Sequence, residues 1–142
     1  MATIPEVDPS APPTAMERAM RRFVMSDVGT WIATGRKSGE PRTVPLVYYT
    51  LGEEVILIAS SFGRPRHPSW YLNVKANPEV ELLGGGVRRR YLARETSGAE
   101  RDRLFALAEK LYAGYGLYAT RTRGRIIPVL ALRPVSDAAA SA

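Results

Sequence analysis

The segment that decides the fold covers residues 34–70 and has the sequence TGRKSGEPRTVPLVYYTLGEEVILIASSFGRPRHPSW. Two apolar stretches within it, residues 43–50 and 55–60, are separated by a connection of hairpin length. The second stretch begins Val-Ile-Leu-Ile-Ala and is apolar on both faces, which is typical of a strand inside a sheet. We therefore predict an antiparallel strand pair whose later member is central.

Two basic loops, residues 35–42 and 62–68, flank these strands. They carry only one acid, Glu40, against the five basic residues Arg36, Lys37, Arg42, Arg64 and Arg66. Glycine lets the backbone turn so that N–H groups face a ligand, and arginine and lysine supply charge and donors for phosphate or carboxylate. The loops predict a binding site for an anionic small molecule.

The rest of the chain adds strands and helices around this segment. Further strands are predicted at 28–34, 80–83, 87–95 and 126–132, and Pro128 indicates an edge or bulge position for the last. Helices are predicted at 14–25, 68–77 and 97–112, the first and third opening with capping-box spacing. A break at residues 114–116 should lead into a turn at 117–123. Six mostly antiparallel strands with peripheral helices predict a mainly β (α+β) fold, a small barrel with helices over its openings.

Composition and charge restrict the functional class. The chain has 142 residues, a net charge of +6, no cysteine and one histidine, His67. We expect one domain over residues 14–135, with a disordered tail at 1–13 and a loose tail at 136–142. Thiol chemistry and a histidine-rich metal site are excluded, and no metal is expected. The basic surface favours an anionic partner, whether nucleic acid, anionic lipid, or an acidic cofactor or substrate.

The leading helix is amphipathic and basic. It is expected either to pack on the domain or to touch a membrane surface through residues 14–25. No export signal precedes it, so we expect a cytoplasmic protein, with the inner face of the membrane as the alternative.

The basic loops lack an obvious acid–base pair for catalysis. His67 has no partner that would complete a Ser-His-Asp arrangement. Sites of this kind borrow their chemistry from a bound organic cofactor. Tyr112, Tyr115 and Tyr118 recur every three residues, so they form either a packed aromatic cluster or a wall of rings and hydroxyls beside a flat substrate.

Several motifs in one register resemble the deazaflavin-dependent nitroreductase family. The resemblance spans residues 28–134 and rests on residues 34–46, Ala59-Ser60, residues 67–73, residues 75–78, Tyr115-x-x-Tyr118 and residues 127–129. It implies a split β-barrel of the FMN-binding/flavin-reductase type that binds the deazaflavin coenzyme F420. That cofactor carries a phosphate and a polyglutamate tail, which would explain the basic loops.

The resemblance also implies roles for particular residues. The phosphate and tail region would be held by Arg36, Lys37, Ser38, Gly39 and Arg42. The deazaflavin ring would lie against Pro45 and Leu46, with Ala59, Ser60 and Ser61 bordering ring and phosphate, and with Trp70, Tyr71 and Asn73 closing the groove. The substrate side would be lined by the catalytic candidates Ser60, Tyr112, Tyr115 and Tyr118. Some members have lysine where Ser61 stands, so one phosphate contact is expected either to be lost or to be supplied by Arg64 or Arg66. Val47 stands where an aromatic residue can occur, so the substrate pocket is expected to differ.

The function implied is an F420-dependent oxidoreductase that transfers hydride to a flat, electron-poor acceptor such as a quinone or a nitroaromatic. Tyr115, Tyr118 or Ser60 would hydrogen-bond the reduced oxygen, with water as a proton source. Two alternatives are open: an FMN-binding reductase or flavin carrier of the same fold, and a basic barrel that binds nucleic acid through the run of arginines at 88–90.

Overall fold

The computed structural model describes Arg18, residues 22–84 and residues 87–135, the side chains of residues 26 and 27 excepted. The predicted tails at 1–13 and 136–142 and most of the predicted leading helix lie outside these residues. No helix in the described part is long and apolar enough to span a bilayer.

Six antiparallel strands close into a barrel. They are β1 (Phe23–Thr34), β2 (Pro41–Leu51), β3 (Glu54–Ile58), β4 (Glu79–Gly84), β5 (Val87–Glu95) and β6 (Val129–Pro134). Their order around the barrel is β1-β2-β3-β6-β5-β4, and β4 returns to pair with β1. The structure confirms the predicted barrel, and it confirms the β2–β3 hairpin, in which Leu51 pairs with Glu54.

Two apolar clusters hold the barrel together. The inner faces of the strands contribute the first cluster, which includes Trp31, Leu57, Tyr91 and Leu132. The second lies outside the barrel wall, where Tyr49, Ile56, Ile58 and other strand residues pack against helices. Residues of β3 alternate between the two clusters, so all of Val55–Ile58 is buried. This double burial explains the continuous apolar run and confirms that the strand is central.

Within residues 23–84 and 87–135, three α-helices lie against the barrel: α1 (Ser69–Ala76), α2 (Gly98–Leu111) and α3 (Gly114–Ala119). A short 3-10 turn at Ser61–Gly63 precedes α1. Helix α2 buries Leu104, Leu107 and Ala108 of its predicted apolar stripe, whereas Leu111 at its end is exposed.

The first strand is longer than predicted. Phe23 and Val24, which were assigned to the leading helix, belong to β1 and pair with Leu51 and Thr50 of β2. Phe23 is buried and stacks on Tyr49 at 5.2 Å between ring centroids. The prediction failed because helical spacing of apolar residues continued across a boundary that tertiary pairing sets.

The last strand also differs. It begins at Val129, so Pro128 precedes it and occupies neither an edge nor a bulge. The Pro128 carbonyl accepts a hydrogen bond from the Ala59 N–H at 2.9 Å. Because this contact uses only the carbonyl of proline, the missing N–H costs nothing there.

The predicted break at residues 114–116 is instead the start of α3. The interruption falls at Tyr112–Ala113, and the predicted turn at 117–123 is helical as far as Ala119. A Cβ on Gly114 would stand 2.6 Å from the Tyr112 ring, and one on Gly116 would stand 2.0 Å from Glu109 Oε2. The two glycines therefore allow close packing of α3 against the end of α2.

The second predicted capping box does not form. Ser97 occupies the N-cap of α2, but its side chain makes no capping bond. Glu100 instead accepts two hydrogen bonds from Arg94, at 2.7 and 2.9 Å. That contact lowers the pKa of Glu100. The spacing correctly located the helix start, but the Glu100 carboxylate forms an ion pair with Arg94 of β5 and does not cap the helix.

Candidate cofactor and substrate site

A cavity of about 480 Å³ lies between the β1–β2 turn, the start of β2 and helix α1. Its lining consists of Ala33, Gly35, Arg36, Lys37, Ser38, Arg42, Thr43, Val44, Ser69, Trp70 and Asn73. No carboxylate is among them. A pocket of this size accepts a small organic ligand.

The β1–β2 turn is closed by its own backbone. The Gly35 N–H donates to the Glu40 carbonyl at 2.8 Å, and the Gly39 N–H donates to the Gly35 carbonyl at 2.9 Å. Gly39 has a φ of 72°, a left-handed conformation that favours glycine. Ser38 Oγ accepts the Glu40 N–H at 3.1 Å and faces Arg42 at 3.4 Å. The turn is therefore a folded unit that presents basic side chains at the cavity.

Arg36 connects this turn to helix α1. Its backbone N–H and its Nη1 both donate to Asn73 Oδ1, at 3.1 and 2.8 Å. Asn73 is buried, so its amide is committed to holding turn and helix together. The contact fixes the width of the cavity between them.

The cavity has an uncompensated positive charge. Among the described residues, Arg36, Lys37 and Arg42 form no ion pair with a carboxylate, whereas Arg88, Arg90 and Arg94 elsewhere on the barrel do. Guanidinium and ammonium groups without a carboxylate partner favour binding of an anion, because charge-assisted hydrogen bonds to phosphate or carboxylate are strong.

The segment between β3 and α1 is held by Arg125. Its guanidinium donates to the carbonyls of Ala59, Ser60 and Arg64 at 3.1, 2.7 and 3.0 Å. Its Nη1 also lies 3.2 Å from His67 Nδ1. Arginine has no acceptor, so His67 Nδ1 must accept and the neutral ring carries its proton on Nε2. Burial and the charge of Arg125 lower the pKa of His67.

The middle of this segment has a strained backbone. Ser61 and Phe62 have φ values of 49° and 57°. Gly63 follows at φ 78°, and a Cβ there would lie 2.6 Å from the Tyr118 carbonyl. Left-handed residues other than glycine persist where surrounding contacts impose them, and they concentrate at ligand sites. Phe62 is left 67% exposed, with its ring edge on Tyr118.

An aromatic cluster lies beside this segment. Tyr112 and Tyr118 hydroxyls are 2.7 Å apart, and Tyr115 lies 5.0 Å from the Tyr112 ring. The buried Tyr49 hydroxyl donates to that of Tyr115 at 2.8 Å. Burial raises the pKa of Tyr115 and of Tyr49, and the contact with Tyr112 raises that of Tyr118. The hydroxyls of Tyr49, Tyr115 and Tyr118 therefore stay protonated near neutral pH.

A family model described as F420H(2)-dependent quinone reductase matches residues 15–134. The chain belongs to this family. An F420H(2)-dependent quinone reductase of Mycobacterium tuberculosis is 39% identical over 102 residues, which cover 70% of this chain and 68% of that protein. The enzyme is thus an F420H2-dependent oxidoreductase, and its cofactor is coenzyme F420 rather than FMN.

Solved structures support the same family. An F420-H2 dependent reductase is 40% identical, with a TM-score of 0.67, and the match covers 75% of this chain and 93% of that one. Another structure, described as a domain-swapped dimer, is 40% identical with a TM-score of 0.68 and covers 76% of this chain and 82% of that one. The fold of the reductase is accordingly the split barrel.

Part of the predicted site of the reductase lies around the first cavity. Six of the predicted cofactor residues line it: Arg36, Lys37, Ser38, Arg42, Trp70 and Asn73. Gly39 shapes the turn without reaching the lining. Pro45, exposed, and Leu46, packed on the inner cluster, lie further along β2.

Other predicted residues occupy the segment between β3 and α1. Ala59 is buried, Ser60 and Ser61 are half-buried, and Arg64 and Arg66 are exposed. None of these five lines the first cavity.

Tyr71 lies on a different surface from the first cavity. It borders a separate cavity of about 440 Å³ together with His67 and Glu95. Its hydroxyl donates to Glu95, and burial together with that contact raises the pKa of Tyr71 to about 12. Of the three residues predicted to close the groove, only Trp70 and Asn73 line the first cavity.

Arg125 is the residue that sequence reasoning missed. It belongs to no recognisable motif, and it lies about sixty positions from the carbonyls it binds. Only its location between a glycine-containing turn and the last strand could have drawn attention to it.

The donor set of the first cavity fits F420. Two arginines, a lysine, two serines and a threonine, with no acid among the lining residues, match the needs of a phosphate and a polycarboxylate tail. The Trp70 ring supplies an apolar wall.

Proposed function

We propose that the enzyme reduces a quinone with hydride from reduced F420, and that the anionic part of the cofactor binds in the first cavity. The observation that carries this proposal is the set of three cations, Arg36, Lys37 and Arg42, that line one cavity and lack carboxylate partners among the described residues. An anion there would gain charge-assisted hydrogen bonds without displacing an existing ion pair.

The basic residues of the cavity would have different roles in binding the anion. Lys37 and Arg42 have their charged ends available for phosphate or carboxylate, while Arg36 has one donor engaged with Asn73. The fixed turn and α1 hold these groups in place before the ligand arrives, which reduces the entropic cost of binding. When bound, reduced F420 supplies the hydride.

The acceptor would lie against the aromatic cluster. Phe62 and Tyr112 are 67% and 44% exposed, and Leu117 on α3 is 52% exposed. Exposed apolar side chains of this kind suit a quinone ring and its hydrocarbon chain. Ser60, at the entrance to the strained segment, has no hydrogen bond from its hydroxyl among the described residues, so that hydroxyl is available to a quinone oxygen.

The tyrosines would serve as hydrogen-bond donors and not as acids. Their raised pKa values leave them protonated at neutral pH and make proton release unfavourable. A hydroxyl of Tyr118 would stabilise negative charge on the reduced oxygen, and water would deliver the proton.

A double substitution of Lys37 and Arg42 by alanine tests the cofactor site. We expect the Kd for F420, measured by fluorescence titration, to rise at least about tenfold, since each charge-assisted bond contributes about 1.5–3 kcal/mol before screening. The dependence of binding on salt should become shallower. Arg133→Ala removes an exposed cation from β6 and is the matched control.

Equal affinities of the double variant and the control would place the anion elsewhere on the enzyme. The acceptor is tested by mixing reduced F420 and enzyme with a menaquinone analogue or a nitroaromatic. Faster oxidation of the cofactor by the nitroaromatic than by the quinone would reject the quinone assignment.

A further inference from the structure

A second cavity opens at the other mouth of the barrel. It has a volume of about 450 Å³ and shares no lining residue with the first. Its wall is largely apolar, and it is lined by Val28, Gly29, Tyr48, Thr50, Val55, Leu82, Leu83, Gly84, Val87, Arg89 and Tyr91. Trp31 is buried and lies on β1 between Gly29, which lines this cavity, and Ala33, which lines the first. The second cavity is therefore separate from the proposed redox site.

One arginine points into this mouth while its two neighbours point away. Arg89 pairs with Leu82 across β4 and β5, and directly paired residues share a face of the sheet. Leu82 belongs to the inner cluster, as does Tyr91, which is two residues from Arg89 on the same strand. Arg89 therefore occupies an inward-facing position at the end of the barrel.

The neighbouring arginines are already neutralised. Arg88 pairs with Glu81 at 2.8 Å, and Arg90 pairs with Glu79 at 3.3 Å, both on the outer face. Arg89 has no ion pair or hydrogen bond with any described residue. The run at 88–90 is thus divided by strand alternation, which removes the continuous basic strip that a nucleic-acid surface would need, and leaves one cation beside an apolar chamber.

Two phenol groups in the chamber are also without partners. The hydroxyls of Tyr48 and Tyr91 make no hydrogen bond to the described residues, although the Tyr91 side chain is only 6% exposed. Gly29 is needed to form this wall, because a Cβ there would stand 2.6 Å from Leu82 and 2.9 Å from the Tyr48 ring. The wall therefore combines close apolar packing with two hydroxyls that have no partner among the described residues.

We propose that this mouth binds an amphipathic monocarboxylate, with the apolar body inside the barrel and the carboxylate on Arg89. The apolar wall would bury a hydrocarbon or aromatic body of about ten carbons, within the size range of ordinary ligand pockets. A guanidinium recognises one carboxylate through two parallel bonds. The tyrosine hydroxyls satisfy the remaining carboxylate lone pairs. A single cation matches a monoanion better than the polyanionic tail of F420.

Decanoate, kept below its micelle concentration, is the probe. The readout is NMR of the two tryptophan indole N–H groups, with Trp70→Phe used to assign them. Trp31 contacts the rings of Tyr48 and Tyr91, each at 5.7 Å between centroids, and Trp70 lines the first cavity. Saturable movement of the Trp31 signal without movement of Trp70 is the expected result. Movement of Trp70 alone would assign decanoate to the first cavity and overturn the proposal.

Arg89→Gln should raise the Kd for decanoate about tenfold or more, the ratio expected when one charge-assisted interaction is lost. Arg88→Gln is the matched control, because it removes the adjacent charge from the outer face, and it should leave the Kd within about twofold. Decanol, which lacks the charge, should bind equally weakly to both variants and to the unsubstituted protein.

Two further results would overturn the assignment. One is an equal effect of the Arg88 and Arg89 substitutions, which would indicate attraction by overall charge. The other is unchanged decanoate binding in Val87→Trp, which places a large ring at the exposed rim of the chamber. Binding of F420 should be unaffected by the substitutions at Val87, Arg88 and Arg89, none of which lines the first cavity, so failure here is distinguishable from failure of the proposed function.

Discussion

Replacing Arg125 by methionine tests whether one guanidinium holds the segment between β3 and α1. Methionine has a similar length and retains apolar packing, but it cannot donate to the carbonyls of Ala59, Ser60 and Arg64. The substitution also removes the contact with His67 Nδ1. Every lost contact falls on the segment that carries Ser60 and the strained residues beside it.

The expected magnitude follows from the number of bonds. Hydrogen bonds contribute about 0.5–1.5 kcal/mol each net of water, so three would contribute about 3 kcal/mol. Half-buried carbonyls regain some hydration when the donor leaves. We therefore expect a loss of about 2 kcal/mol in global stability and a larger effect on local opening.

Urea unfolding measures the loss of global stability, and amide hydrogen exchange measures the local opening of the segment. The amides of Gly63 and Arg64 report on the segment because they donate to Ser60 and Ser61 carbonyls at 2.9 and 3.1 Å. Their exchange should accelerate much more than that of amides in β3. Arg133→Met, at an exposed cation of β6, is the control. Unfolding free energies within about 0.5 kcal/mol of each other in the two variants, with unchanged exchange, would refute the role given to Arg125.

Two other substitutions test buried contacts. Tyr115→Phe leaves the buried Tyr49 hydroxyl without its partner and should lower the unfolding free energy by about 1–3 kcal/mol. Part of this loss should be recovered in the Tyr49→Phe/Tyr115→Phe double variant. If the free-energy changes of the two single variants, measured in urea, add strictly in the double variant, the result would argue against the hydrogen bond. His67 has a lowered pKa in the folded state, so the unfolded chain binds its proton first as pH falls, and the stability from neutral His67 is present above about pH 6.5 and lost below it. His67→Gln should therefore lose less unfolding free energy between pH 7 and pH 5 than the unsubstituted protein, as measured by urea titrations. Parallel curves of unfolding free energy against pH for the two proteins would contradict this.

The barrel and much of the first cavity could be predicted from the sequence because their signals are local. The hairpin spacing and the apolar run at Val55–Ile58 located the central strands, and the structure buries all four residues. The basic turn was recognisable because Gly35 and Gly39 flank two cations, and hydrogen bonds within the turn suffice to form it. In both cases the residues that determine the conformation are close together in the chain.

The parts that could not be predicted depend on contacts between distant residues. Phe23 belongs to a strand because it pairs with β2. Glu100 does not form the capping box because its carboxylate binds Arg94. The separation of Tyr71 from Trp70 is a matter of helix geometry, since adjacent residues on α1 project about 100° apart and reach different surfaces. A motif that contains both residues does not tell which one faces the cavity.

The arginines of β5 show that strand register, which the sequence did not reveal, decides whether residues 88–90 form a continuous basic surface. In the sequence, residues 88–90 form a single basic run, and only strand register decides which face each side chain occupies. A triple-glycine connection lies before β5 and allows several registers, because no side chain there selects one turn geometry. The observed pairing of Leu82 with Arg89 places Glu81 and Glu79 on the same face of the sheet as Arg88 and Arg90, where they form diagonal ion pairs. A shift of one residue would have put two arginines inside the barrel and would have broken both ion pairs, so the acidic partners on β4 are themselves part of what fixes the register.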